Sequence, residues 1–132
     1  MGYESKVFIV ERHYFPKREN FPEWISASVI AEFDLSKMGY DNEEFFDAFK
    51  REIDYTIYMP VCDNDGNETI APVDEDCYGK HMKYATLPEL ISALKICEKR
   101  DHYRRLPPLI AMLKAFNANE WDGELQAVHY GY

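Results

Sequence analysis

Twelve consecutive residues of this chain, 24–35 (WISASVIAEFDL), alternate so regularly that an extended strand is the conformation that suits them. Ile25, Ala27, Val29, Ala31, Phe33 and Leu35 fall on one side and Ser26, Ser28, Glu32 and Asp34 on the other, the period of a strand with one face buried and one in water. Such a strand must find partners for its backbone N–H and C=O groups, so the chain has to build a sheet. Residues 6–15 (KVFIVERHYF) supply the neighbour, since they are β-branched and aromatic and Pro16 closes them. The link 17–22 predicts antiparallel pairing of the two.

Helical spacing appears next. Asp41 and Glu44 have the spacing of a capping box, and Phe45, Phe46, Phe49 and Ile53 recur at helical intervals, predicting a helix over 42–53. Residues 55–61 (YTIYMPV) and 68–73 flank Asp63-Asn64-Asp65-Gly66-Asn67, so a hairpin is expected, with Pro60 and Pro72 confined to edges or bulges. Residues 74–85 read as loop with a short strand at 82–84. Thr86 and Glu89 form a second capping box, and Leu87, Leu90, Ile91, Leu94 and Cys97 line one side of a helix reaching residue 100. Pro107 and Pro108 open a further helix that buries Leu109, Ile110, Met112, Leu113 and Phe116. Residues 124–132 add a strand or reach out to a partner. Strands gathered before helices, without regular alternation, give an α+β class: an antiparallel sheet of four to five strands with about three helices packed on one face.

A length of 132 residues predicts a single domain, 1–132, with no internal repeat or linker. The longest apolar runs fall short of a membrane span, and Glu4 and Lys6 stand where a signal peptide needs apolar residues. Cys62, Cys77 and Cys97 are odd in number and widely spaced, which suits reduced thiols and a cytoplasmic setting.

The formal charge is −9, and its distribution says more than its total. Residues 32–76 hold fourteen Asp or Glu against Lys37, Lys50 and Arg51, a net of −11, and the remainder is near +2. Such a field repels nucleic acid and draws in basic partners. Within it Asp63, Asp65, Glu68, Asp74, Glu75 and Asp76 run uninterrupted by a base. One reading is a solvated loop; the other is a surface that imitates spaced phosphates, which Glu43, Glu44, Asp47, Glu52 and Asp54 would extend. Arg100, Arg104 and Arg105, near Lys95, Lys99, His102 and Tyr103, are either partners in ion pairs, internal or between copies of the chain, or the contacts of a small anionic ligand.

No motif of catalysis or cofactor binding is present: no glycine-rich phosphate loop, no H-E-x-x-H and no G-x-S-x-G. Aligning Gly66 with a calcium-loop glycine puts Val61 and Pro72 where the essential carboxylates belong, which leaves a hairpin turn. Cys77 and His81 lack the second pair of ligands that zinc needs. The expectation is a binding protein, not an enzyme, with no cofactor and no metal.

In order, Glu4-Ser5-Lys6-Val7-Phe8-Ile9-Val10, Ile30-Ala31-Glu32-Phe33-Asp34-Leu35, Tyr78-Gly79 and Tyr103-Arg104-Arg105 resemble small proteins carried by phages and prophages of Gram-positive bacteria. That resemblance implies an anti-defence role of the anti-CRISPR kind in the cytoplasm of a bacterial host. The protein would be a monomer or homodimer acting on a host protein with a basic nucleic-acid-binding groove, such as a CRISPR nuclease. Two rivals predict other surfaces: an oligomer that captures an anionic metabolite, and a phage assembly protein joined through Tyr130 and Tyr132.

Overall fold

The computed structural model describes residues 4–35, 42–101 and 104–132. Strands β1 (Ser5–Phe15) and β2 (Trp24–Leu35) pair antiparallel as the alternation requires. The final strand β7 (Glu124–Gly131) inserts on the other side of β1, and β6 (Lys83–Thr86) and the two-residue β3 (Arg51–Glu52) follow it. The result is a five-stranded antiparallel sheet in the order β2-β1-β7-β6-β3. The strand expected at 82–84 runs over Lys83–Thr86, and the tail sits inside the sheet. At the start of β7 a side chain on Gly123 would meet the Arg12 carbonyl at 2.6 Å, so the close approach to β1 requires glycine there.

Three α-helices, α1 (Glu43–Asp47), α2 (Leu87–Cys97) and α3 (Leu106–Ala118), cover one face. Val7, Ile9, Ala85 and Ala127 point toward them, and α2 answers with Leu87, Leu90, Ile91, Leu94 and Cys97. Each large side chain so enclosed contributes on the order of 2 kcal/mol by leaving water. Thr86 caps α2 through its hydroxyl, which accepts from the Glu89 N–H, while the Glu89 carboxylate accepts from the Thr86 N–H. The helix ends at Cys97, and residues 98–100 tighten into a 3₁₀ turn.

The opposite face carries its own cover. Strands β4 (Ile57–Cys62) and β5 (Glu68–Val73) form a separate two-stranded hairpin, and Ile57 and Met59 meet Phe8, Val10, Met82 and Val128 beneath it. The chain is thus three layers deep: helices, sheet, hairpin. β1 reads as continuously apolar from Val7 to Val10 because both of its faces are buried.

Two expectations are corrected. The helix expected over 42–53 stops at Asp47; its spacing holds for Phe45 and Phe49 on the helix side, but Ile53 belongs to the core under the hairpin. The chain crosses the sheet edge through β3 between them. Asp41, the proposed cap, lies outside the described residues, and Asn42 makes no side-chain cap bond. In β2 the alternating set does not share one face. A register shift opposite Ile9 and Val10 adds Ile30 as an extra residue, so Ala31 and Phe33 join the helix side whereas Ala27 joins the hairpin side.

Candidate partner-binding surface

The hairpin exposes more apolar surface than a strand pair needs. Its register opposes Ile57 to Val73 and Met59 to Ala71 on the inner face, and Tyr58 to Pro72 and Pro60 to Ile70 on the outer. On that outer face Tyr58 is 72% and Ile70 63% exposed, with Pro60 and Pro72 exposed beside them. Proline has no N–H to give, so Pro60 and Pro72 each remove one donor from the backbone of the hairpin. Exposed carboxylates stand at both ends of the strip, Asp63, Asp65 and Glu68 at the tip and Asp74 and Glu75 at the foot. An apolar strip with a charged rim is the make-up of a protein interface.

Turn geometry fixes the two acidic ends. At the tip Asp63 Oδ1 accepts from the backbone N–H of Asp65 at 2.9 Å and of Asn67 at 2.8 Å, and Gly66 takes a φ of 81°. At the foot Asp76 Oδ1 accepts from Tyr78 N–H at 2.9 Å and Lys80 N–H at 3.0 Å. These are Asx turns. Among the described residues no cluster of His, Cys, Asp and Glu could hold a metal ion. Cys62 and Cys77 are exposed free thiols and Cys97 a buried one. His81 Nε2 lies 2.9 Å from the Ile53 carbonyl.

The acids read from the sequence do not share one face. Glu43, Glu44 and Asp47 ride on α1 on the helix side, while Asp63, Asp65, Glu68, Asp74 and Glu75 belong to the hairpin and its foot. Asp76 lies between, at a cavity it shares with Phe46, Phe49, Lys80 and His129. Tip and foot are themselves a six-residue strand apart, about 20 Å at the usual rise. Glu44 accepts from Arg100 Nη2 at 2.8 Å; a backbone hydrogen bond and that guanidinium hold its carboxyl below the ordinary range.

Of the three arginines proposed for an anion, Arg100 therefore has an internal carboxylate, and Arg105 Nε lies 4.0 Å from Asp101 Oδ1. Arg104 is exposed and turns through a φ of 53°. Asp101 Oδ2 also accepts from the Leu106 N–H at 2.7 Å, which fastens the start of α3. His102 and Tyr103 lie outside the described residues. Tyr132 donates to Asp34 Oδ1 at 3.0 Å, and Tyr130 meets Phe8 edge-on at 6.3 Å.

Beside Tyr58 opens a cavity of about 490 Å³, bordered by Tyr14, Glu23, Trp24, Ile25 and Ala27 and, across from them, by Asp54, Tyr55 and Thr56. Tyr14 donates to Glu23 at 2.6 Å. Arg12 grips Asp54 with both ends of its guanidinium, at 2.9 and 2.5 Å, and holds that carboxyl below its usual range. Tyr55 donates to the buried Gln126 at 2.6 Å, and the Trp24 indole stacks on Phe15 at 4.3 Å. Sequence reasoning passed over these aromatics. The available signal was the stretch YTIYMPV, apolar at odd and even positions alike, as a strand with something to bind on each face would be. Among the described residues no helix is long and apolar enough to cross a membrane. No family model matches the chain, and comparison with curated proteins and with solved structures gave no match.

Proposed function

We propose that the chain is a binding protein that inhibits a host nucleic-acid enzyme, of the CRISPR-nuclease kind, by seating its acidic hairpin in the enzyme's Lys/Arg-rich groove. The observation that carries this reading is the charge of the hairpin and its flanks: residues 52–79 contain eight carboxylates and no Lys or Arg. Carboxylates engage the same guanidinium and ammonium groups that phosphates engage, so an extended acidic finger competes for a site built for a phosphate backbone. The apolar strip of Tyr58, Pro60, Ile70 and Pro72 adds desolvated contact, while the charges steer the encounter. The resemblance to phage-borne anti-defence proteins points to the same class of target. The acids of α1, on the other side of the sheet, lie outside this contact.

The test is capture from nuclease-treated bacterial lysate by the tagged native chain and by a variant with Asp63, Asp65, Asp74, Glu75 and Asp76 replaced by their amides. The expected result is a nucleic-acid enzyme held by the native chain, displaced by a DNA duplex and lost with the variant. Retention of the same partner by both proteins, or a capture indifferent to DNA, overturns the reading.

A further inference from the structure

The cavity beside Tyr58 brings aromatic and acidic side chains together. Three tyrosines, Tyr14, Tyr55 and Tyr58, and Trp24 contribute aromatic side chains, and Glu23 and Asp54 contribute carboxylates. Among the described residues no Lys or Arg borders it. Arg12 approaches Asp54 from the sheet and takes up that charge, which leaves Glu23, held by the Tyr14 hydroxyl, as the uncompensated one. Aromatic faces carry negative quadrupole potential, so rings gathered around an opening with a carboxylate at its margin attract a cation and do little for an anion. Its volume, about 490 Å³, exceeds what one planar guanidinium and its methylene stem require.

We propose that this cavity is a receptor for one arginine side chain of the protein partner, the guanidinium lying against the tyrosine rings and meeting Glu23 at the rim. The assignment rests on the partner being basic, as the proposed function requires, and gives that partner a specific anchor. Tyr58 joins the two surfaces, since it borders the cavity and stands on the outer strip of the hairpin. A groove contact spread over many weak ion pairs thereby gains one directional contact. Arginine suits the site better than lysine because its flat, weakly hydrated fork stacks on aromatic faces.

The test needs no partner. The chain labelled with ¹⁵N is titrated with a blocked Gly-Arg-Gly peptide, with the same peptide carrying citrulline, and with choline. The Trp24 indole N–H is the reporter, and the Trp121 indole, outside the cavity, is the internal control. Expected are a saturable shift of the Trp24 signal with the arginine peptide, an affinity about fivefold lower in Tyr58→Ala and nearly unchanged in Tyr58→Phe, which keeps the ring. Tyr58 is 72% exposed, so both variants should keep the fold, and the Trp121 signal checks that they do. An equal response to citrulline, no saturation, or binding of choline alone overturns the assignment. A saturable arginine site in a chain that captures no nucleic-acid enzyme would retain the cavity reading and remove the inhibitory one.

Discussion

His129 shows how much one side chain can depend on its surroundings. It sits on β7 against the rings of Phe45, Phe46 and Phe49, with centroids 5.2 to 5.7 Å away, and its Nε2 lies 2.9 Å from the Ser5 hydroxyl. Burial pulls its pKa down to about 4, against a smaller upward pull from Asp76. The folded state therefore binds fewer protons than the unfolded chain between the ordinary histidine value, near 6.5, and 4. Stability is full above that window and is lost as pH falls through it, by at most about 3 kcal/mol. Urea unfolding at a series of pH values should show this loss, and His129→Gln should flatten it. Acid loss from the carboxylates of Glu44, Asp54 and Glu89, all held below their usual values, belongs to lower pH and remains in the variant. Tyr55 makes a second case. Its hydroxyl satisfies Gln126, which is only 2% exposed, so Tyr55→Phe leaves a buried amide oxygen unpartnered and should cost about 1–3 kcal/mol by denaturant unfolding.

Among the elements, α2 is tied to its neighbours by its first turn. Thr86→Ala removes the cap hydroxyl and should destabilise the protein by about 1 kcal/mol, read as a lower melting temperature, while Thr86→Ser should keep most of it. Glu89 also bonds Arg51, so the same turn secures the short strand β3. This helix was readable from sequence because everything that defines it is local: a cap, a proline in the first turn, and apolar residues at helical spacing. The hairpin turn was readable for the same reason, from Asp63 and Gly66. The bulge at Ile30 was not read, although Ile30 is the one apolar residue among Ser26, Ser28, Glu32 and Asp34, because only the register against β1 shows that the break is an inserted residue. Ile53 misled because its helical spacing from Phe49 coincides with a passage around the sheet edge into the other core. Site legibility follows the same division. The hairpin acids were found as a run in the sequence, but the cavity draws on positions 14, 23–25, 27, 54–56 and 58, which only the tertiary fold brings together. The acids of α1 were grouped with those of the hairpin by proximity in sequence, and the sheet separates them.

For the molecule as a whole, the distinguishing feature is that its negative charge is concentrated. Residues 32–76 carry a net of −11 against about +2 elsewhere, and the hairpin with its flanks, residues 52–79, holds eight carboxylates and no Lys or Arg, so its field attracts basic groups. Long-range attraction of that kind is screened over about 8 Å at physiological salt, so affinity for a basic partner should fall as salt rises, mainly through a slower association rate. Replacing Asp63, Asp65, Asp74, Glu75 and Asp76 by amides isolates the charge term, because an amide oxygen can still accept the N–H bonds that Asp63 and Asp76 receive in their turns. The variant's melting temperature should match or exceed the native value, since like charges at the hairpin ends no longer repel. Its association rate with the captured partner should be lower at low salt and should change less as salt is added, by surface plasmon resonance over a salt series. Parallel salt curves for the two proteins would mean that the apolar strip and cavity carry recognition and that the carboxylates serve solubility. Convergence of the curves at high salt would assign the steering to the hairpin acids and leave Tyr58 and its neighbours to set how long the complex lasts.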